Sequence, residues 1–572
     1  MRTRLLIPLI SFVFSLGLLA APPLSQSMPS GAMGFVELKG LGKKLVELRD
    51  SKLLKSLLAS PQFKQITKQS QYAQAMAGKG FVEGFIGMDL WTAADVLLNE
   101  AALGVYPDPN GEPTALLMLR MQDAKAWAKL RLRLNQTLDS IDANVKREKN
   151  GVLDIISVEN QIFITLHKNW AVAASTRQLM KRGVAGLNGQ VKKTVADDPA
   201  FQKMQKNMGA EHLAQVYLNI PAYAGMYNQP IEAPEKMDDR AASLFFHGII
   251  DLAAGSPYLG LTLDVDKNGF SLVSGIEGDV AATRKKRAWF FSDPKTPGTR
   301  DVPAVPGLMG GITIHRNIGQ WYGQREQLLD ERLMAGFDEF EAGLGNLFPG
   351  RDIGDDIMPA FGSTFTLLVA EQTFEHFEGA PGIKLPGFAL IFDLDKPENG
   401  GLFQLVFQTI VTITNIAGAE EGLDREPSVM TAIVHKGVPI NTIQYLQQPK
   451  GKRLNISYNF MPCAATVNGR FVFCTSLELL KSLVTELKKP QNPKRVNRNF
   501  NFELHPPALA GLVAANRRTL VAKNIQTGKP AEQARAEVQL AERLLKAIEI
   551  LRFSTSVKDK AFQIQLEGKW AE

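Results

Sequence analysis

Two cysteines are the residues of this chain whose chemistry depends most directly on spacing. Cys463 and Cys474 are the only cysteines, and Asn468-Gly469 lies midway between them. An Asn-Gly pair favours a two-residue hairpin turn, and counting outward from that turn places Cys463 directly opposite Cys474. In an oxidising compartment the pair can form a cross-strand disulfide. The count gives a hydrogen-bonded site, where side chains approach less closely than at the alternate sites, so two buried free thiols are the alternative.

The densest cluster of acids and imidazole is formed by Glu375, His376 and Glu378. Such groups can transfer protons or bind a metal. The segment also precedes Pro381 and Pro386 and has the composition of a solvated loop. The remaining histidines share no metal-ligand spacing; they stand at positions 167, 212, 247, 315, 435 and 505.

Signatures of known active sites are missing from the sequence. It contains no Gly-x-Ser-x-Gly nucleophile elbow and no phosphate loop. The segment from Asp264 to Gly269 matches the first half of a calcium loop, but Gly275 stands where the bidentate glutamate should be. We therefore predict a hairpin turn there, and no catalytic residue, metal ligand or cofactor site.

Charge gives a mild indication of partners. The formal net charge is +7, and removal of Arg2 and Arg4 with a signal peptide would leave +5. A basic stretch runs from Lys488 to Arg498 and includes Lys489, Lys494 and Arg495. Such a stretch is typical of a solvated surface loop, and contact with an anionic polymer is the other interpretation. The balance fits another envelope protein, anionic lipid or polysaccharide as partner, and does not favour nucleic acid.

The N-terminus has the pattern of a secretory signal. Two arginines precede an uncharged apolar stretch from Leu5 to Ala20, and small residues follow. Cleavage after Ser27 or Ala32 fits the small-x-small rule, so we predict a signal peptide over residues 1–32 and export to the periplasm or the outside. An uncleaved anchor is the alternative. The uncharged segment 401–419 has apolar residues at helical spacing, which predicts a half-buried amphipathic helix of a globular domain.

The elements that must position any site occur twice. Four blocks of strand, turn and helix signals recur in the same order, which predicts a duplicated module. The paired blocks begin at Pro113 and Pro386, Trp170 and Arg470, Val216 and Phe502, and at the final hairpins that end in Ile276-Glu277-Gly278 and Leu566-Glu567-Gly568. Many strands are joined by tight turns, so we predict an α+β fold of two similar modules, each a mainly antiparallel sheet with packed helices.

The proposed boundaries follow from these blocks. The first module spans residues 33–280, a proline-rich basic linker spans 281–306, and the second module spans 307–572. With this tandem plan, the chain resembles a family of exported bacterial proteins of unknown function. The resemblance rests on block order and hydrophobic pattern, and it implies neither an activity nor functional residues.

These observations favour a non-catalytic exported protein that binds a partner or serves structurally. Two other classes of function stay open, an envelope hydrolase with a dispersed active site and a carrier of an apolar ligand. A deep pocket with converging histidine, aspartate or glutamate side chains and shifted pKa values would favour the enzyme. A dry cavity lined by leucine and phenylalanine would favour the carrier, and two closed cores with shallow surfaces would favour binding or a structural role.

Overall fold

The computed structural model describes residues 22–51, 54, 55, 58, 59, 63, 67, 70–121, 123–140, 145–150, 153–167, 169–227, 231–292, 298–345, 347–375, 377–420, 428–445, 453–490, 498–558 and 560–571. Contacts divide the chain into two compact units. The first contains residues 1–48 and 76–228, and the second contains residues 49–75 and 229–572.

The first unit is built on an antiparallel sheet. Its strands are β1 Gly34–Lys39, β2 Glu100–Pro107, β3 Pro113–Arg120, β4 Val145–Asn150, β5 Leu153–Val158, β6 Ile162–Leu166, β7 Trp170–Ala174 and β8 Ala214–Asn219. They pair in the order β8-β1-β2-β3-β7-β6-β5-β4, and every neighbouring pair is antiparallel.

The second unit has a longer antiparallel sheet. Its strands are β9 Tyr258–Val265, β10 Gly269–Glu277, β11 Leu308–His315, β12 Phe361–Ala370, β13 Ala380–Pro381, β14 Gly387–Leu394, β15 Ser428–His435, β16 Val438–Tyr445, β17 Arg453–Leu454, β18 Cys463–Val467, β19 Arg470–Cys474, β20 Arg498–Leu504, β21 Ile548–Lys558 and β22 Ala561–Trp570. The order is β9-β10-β22-β21-β20-β11-β12-β14-β19-β18-β16-β15, while β13 and β17 form a separate parallel pair.

Eight strands of the second sheet repeat the order of the first. The series β20-β11-β12-β14-β19-β18-β16-β15 corresponds, strand for strand, to β8-β1-β2-β3-β7-β6-β5-β4. The prediction of an α+β fold with two similar, mainly antiparallel modules is therefore confirmed.

Helices connect the strands at corresponding places. They are α1 Leu41–Asp50, α2 Ser70–Ile86, α3 Leu90–Leu97, α4 Ala124–Ser140, α5 Arg177–Leu187, α6 Pro199–Met208, α7 Ile220–Met226, α8 Arg240–Ala254, α9 Val280–Lys286, α10 Ile318–Gly323, α11 Arg325–Leu328, α12 Ala335–Gly345, α13 Gly400–Glu420, α14 Leu477–Leu487, α15 Pro506–Ala515, α16 Arg517–Gln526 and α17 Ala531–Lys546. Thr176 caps α5 by accepting a hydrogen bond from Leu179 N, as its position after an apolar strand predicts.

Helix α13 corresponds to the uncharged segment 401–419. It buries Phe403, Phe407 and Val411 against the sheet and exposes Leu405 and Ile413. This is the amphipathic pattern that the sequence predicts. Throughout the described residues, no helix combines the length and the hydropathy needed to cross a membrane.

An arm of residues 22–33 leads into β1 and packs into the first unit. Leu24 and Met28 are buried, Met28 completely, and Met28 O accepts a hydrogen bond of 2.8 Å from Val195 N. The arm lies so close to α5 that a Cβ on Gly186 would be 1.8 Å from the Ser27 carbonyl oxygen. The predicted signal segment 1–32 thus overlaps the core of this unit, and its residues 1–21 lie outside the described chain.

The predicted linker 281–306 also differs from what the structure contains. Trp289, Phe290 and Phe291 are buried in the second unit, and Val302 and Val305 join a core cluster with residues of α14. Full burial of a large apolar side chain stabilises the fold by about 1.5–3 kcal/mol. Burial of three aromatic side chains therefore exceeds the tendency of the nearby prolines to keep the segment extended. The contacts divide the chain after residue 228 and not at 280.

Strands β10 and β22, which close the two sequence copies, pair with each other. Leu272 lies opposite Leu566, and Ile276 lies opposite Phe562. In the sequence alignment Ile276 corresponds to Leu566, and Leu272 corresponds to Phe562. The contact is therefore reciprocal. Leu272 pairs with the counterpart of Ile276, and Ile276 pairs with the counterpart of Leu272.

Candidate functional site

A cleft of about 420 Å³ in the second unit brings together charged residues from distant parts of the sequence. Its wall is made by the segment 299–304, by β12, β14 and β19, and by the residues that follow α14. Its volume lies in the range of about 300–1,000 Å³ that is usual for small-molecule sites. The sheet supplies a rigid floor, because Thr364 and Thr366 are buried in β12.

The rim of the cleft carries paired charges. Arg498 Nη1 lies 2.8 Å from Asp301 Oδ1, and this carboxylate is largely exposed. Lys489 pairs with Glu486 within one helical turn. Exposed ion pairs of this kind stabilise a fold by about 0–1 kcal/mol each. They therefore line the entrance of the cleft without fixing its side chains in place. Lys489 and Arg498 belong to the basic stretch 488–498 of the sequence, of which Lys494 and Arg495 lie outside the described residues.

The floor of the cleft carries two guanidinium groups and one carboxylate. Arg300 Nη2 donates to Asp393 Oδ2 at 3.3 Å. Arg470 lines the same cleft and is 6% exposed, and it lies opposite Asp393 in the backbone register of β14 and β19. Arginine remains charged inside proteins, so this triad has a net charge of +1 at neutral pH.

Arg300 carries an unmatched donor. Its Nη1 is buried and has no hydrogen-bond partner within the described part of the chain. A buried donor without a partner costs about 1–3 kcal/mol. An oxyanion in the cleft would remove that cost, and its negative charge would match the charge of the triad.

The two cysteines lie on the same sheet. Asn468 and Gly469 have φ angles of 48° and 71°, as a type I′ turn requires, and Cys463 is paired with Cys474. The predicted register is confirmed. Both are free, buried thiols, and Cys463 Sγ lies 3.7 Å from the Cys474 carbonyl oxygen. Burial raises the pKa of the Cys474 thiol, and so does its hydrogen bond with Cys463.

We expect both thiols to be unreactive in the folded protein, because both are fully buried and out of reach of a reagent. N-ethylmaleimide should add to neither cysteine under native conditions and to both after denaturation without reductant, as read by intact mass. A denatured protein that takes up label only after reduction would show that the disulfide forms.

The two glutamates of the acidic cluster lie at the surface of the second unit. Glu375 and Glu378 are exposed in the connection between β12 and β13. His376 lies outside the described residues, so its place relative to the two glutamates stays a prediction. Across the described residues, no group of three histidine, cysteine or acidic side chains is arranged to hold a metal ion.

His247 belongs to a buried network of the second unit. Arg287 Nη2 lies 2.7 Å from His247 Nε2, and Arg287 Nε donates to Asp251 Oδ2 at 2.9 Å. His247 Nε2 also lies 2.9 Å from the Pro234 carbonyl oxygen. Burial lowers the pKa of His247, and the Arg287 charge lowers it further. This network joins α8 to α9 and is structural.

A second hollow of about 610 Å³ lies beside the N-terminus of α13. Asp355, Asp356 and Glu398 are among its lining residues. Asp356 accepts a hydrogen bond from Asp352 N and thereby closes its own turn. The Asp356 carboxylate is therefore occupied by local capping.

Sequence reasoning missed Arg300, Asp393 and Arg470. Arg470 carried a usable signal, since it is a charged residue at the start of an apolar strand, at the position that Trp170 holds in the first copy. Arg300 lay within the segment interpreted as a linker. Asp393 follows an apolar strand, where a polar residue is ordinary.

Comparisons with known proteins add little to this geometry. No protein-family model matches the chain, and no curated protein matches it. Crystal forms III, IV and I of the protein TP0453 match 48, 45 and 48% of this chain and 90, 81 and 88% of the TP0453 chain. The sequence identities are 10, 10 and 9%, and each TM-score is 0.24. At these values the likeness carries no argument about fold or function.

Proposed function

We propose that this chain is an exported, non-catalytic binding protein that recognises an oxyanion in the cleft of Arg300, Asp393 and Arg470. The observation that carries the proposal is the unmatched Arg300 Nη1 beside the buried Arg470, in a cleft with a net positive floor. The phosphate of an anionic lipid and the carboxylate of an acidic polysaccharide share the chemistry that these groups recognise.

The side chains of the cleft favour recognition over catalysis. Guanidinium groups donate hydrogen bonds and do not accept protons at neutral pH. The lining residues, as far as the chain is described, include no histidine, cysteine or serine. A guanidinium fork binds planar or tetrahedral oxyanions with two parallel hydrogen bonds, which is a means of selecting a ligand.

The substitution Arg470→Gln should weaken oxyanion binding by about 10- to 100-fold, because hydrogen bonds to a charged group contribute about 1.5–3 kcal/mol. Asp393→Asn should strengthen binding several-fold, since it removes the carboxylate charge that pairs with Arg300. Isothermal titration with inorganic phosphate, digalacturonate and phosphatidylglycerol vesicles measures both effects and distinguishes the source of the anion.

Arg498→Gln is the matched control, because this arginine lies at the rim and is paired with an exposed aspartate. Its affinity for the same anions should change by no more than about threefold. Thermal melts should show that each variant is folded. Equal loss of binding in Arg470→Gln and Arg498→Gln would indicate nonspecific attraction, and an unchanged affinity in Asp393→Asn would argue against the triad.

A further inference from the structure

An apolar cavity of about 110 Å³ lies in the first unit, between its sheet and α4. Its lining is entirely apolar and comes from α3, α4, β3, β6 and β7: Leu97, Leu117, Leu119, Trp127, Leu134, Ile164, Leu166, Ala171, Val172 and Ala173. Leu117, Ile164 and Ala173 are only half-buried, so the cavity has an opening on one side. An apolar cavity of about 150 Å³ stays dry and takes up benzene.

The second unit fills the equivalent place with aromatic rings. Ala171 and Ala173 in β7 correspond to Phe471 and Phe473 in β19, since both strands pair with the same neighbours in the same order. The Phe471 ring centroid lies 5.6 Å from that of Phe403 on the covering helix α13.

The Phe473 ring centroid lies 6.1 Å from that of Phe407, also on α13. Two compensating changes exist, because Ile164 and Leu166 of the first unit correspond to Ala464 and Thr466. They do not close the cavity.

The wall of the cavity is fixed in place. Trp127 is 1% exposed, and its indole Nε1 donates a hydrogen bond of 2.8 Å to the His167 carbonyl oxygen. The ring therefore cannot rotate into the cavity without losing that bond. Empty apolar space forfeits dispersion contacts on every lining atom, so a hydrocarbon guest gains those contacts without displacing a bound polar group.

The covering helix α4 carries a cation at the edge of this space. Arg131 is half-buried and lies four residues after Trp127 and three before Leu134, both of which line the cavity. Residues three and four apart share one face of a helix. Among the described residues, no carboxylate forms an ion pair with Arg131. Helix α13 contains neither arginine nor lysine, so it has no counterpart to Arg131.

We propose that the cavity between α4 and the sheet of the first unit binds the end of an alkyl chain, with an anionic head group facing Arg131. The chain end occupies the space that phenylalanine side chains occupy in the second unit. An acyl chain of a lipid and a free fatty acid present the same chemistry here.

Titration with 1-decanol and with decanoate tests the proposal by calorimetry and by the rise of the melting temperature. Ala173→Phe copies the filled arrangement of the second unit and should weaken binding of both probes at least tenfold. Ala173→Val fills less space and should weaken it less, which keeps the test informative if the larger ring perturbs folding. Leu132→Phe, on the exposed side of α4, is the matched control and should change nothing.

The charged and uncharged probes separate this site from the arginine cleft. Decanol has no charge, so its binding should be unaffected by Arg470→Gln. Arg131→Gln should weaken decanoate about tenfold and leave decanol unchanged. Absence of saturable decanol binding, or decanol binding that Ala173→Phe and Ala173→Val do not alter, would overturn the proposal. Decanoate binding that depends on Arg470 alone would assign the ligand to the cleft.

Discussion

A chain that begins at Met33 instead of Pro22 should lose the cooperative unfolding of its first unit. Leu24 and Met28 are buried in that unit, and truncation of one such side chain to alanine alone costs about 2–5 kcal/mol. Removing the arm deletes both side chains at once. A typical domain is stable by only about 5–15 kcal/mol, so the loss is comparable with the whole stability.

The arm also supports a buried charge. Glu37 is 1% exposed, and its carboxylate accepts hydrogen bonds from Ser25 N and from the Gln215 side chain. Without the arm one of these donors is missing. The Glu37 carboxylate is then exposed to water or stays buried with one hydrogen bond fewer. Either outcome destabilises the pairing of β1 with β8.

Thermal melts and amide hydrogen exchange of the two chains measure the effect. Within the chain that begins at Pro22, Met28→Ala should lower stability by about 2–5 kcal/mol, whereas Gln26→Ala, at an exposed position of the same arm, should change it by less than about 0.5 kcal/mol. If the chain that begins at Met33 melts like the longer one, the arm is dispensable, and signal cleavage after Ser27 or Ala32 becomes compatible with the fold.

The substitution Arg316→Ala should destabilise the second unit by about 4 kcal/mol or more. The Arg316 guanidinium is buried, and its Nε donates to the Leu244 carbonyl oxygen at 2.8 Å. Its Nη2 donates to the Phe245 carbonyl oxygen at 3.0 Å, and Nη1 to that of His315 at 2.6 Å. It also lies 3.7 Å from the centre of the Phe290 ring. Alanine removes all of these contacts and leaves a cavity.

Arg332→Ala is the control for this substitution. Arg332 is exposed and paired with Asp330, so its loss should cost less than about 1 kcal/mol. Urea titrations of both variants give the comparison. If Arg316→Ala lowers the free energy of unfolding as little as Arg332→Ala does, the gain from no longer burying a charge balances the lost hydrogen bonds.

A second readout follows from His315. Burial lowers the pKa of His315 to about 4, and the charges of Arg316 and Arg284 contribute to the lowering. Removing the Arg316 charge should therefore raise the pKa of His315 towards its ordinary value. The imidazole resonances followed by NMR against pH measure this shift.

Much of the architecture was predictable from local patterns, because turns and apolar periodicity are local. Asn468-Gly469 specifies its turn without help from the rest of the fold, and the register of Cys463 and Cys474 follows from it. The arm was not predictable in this way. Its small residues satisfy a cleavage rule as well as a packing rule, and the close approach of Ser27 to Gly186 is visible only in the folded structure.

The charged cleft was less predictable than the fold. Arg300, Asp393 and Arg470 are separated by 93 and 77 positions, and nothing local relates them. Their meeting depends on β14 pairing with β19 and on the path of the segment before β11. The apolar cavity was likewise hidden, because alanine in a strand is unremarkable until its counterpart in the second copy proves to be phenylalanine.

The reciprocal pairing of β10 with β22 has the geometry of an isologous contact, the kind that two identical subunits form about a two-fold axis. Here a single polypeptide supplies both halves. A contact within one chain forms at an effective concentration set by the connecting sequence and not by the amount of protein. Dilution that would dissociate a dimer built on such strands therefore leaves the pairing of β10 with β22 intact.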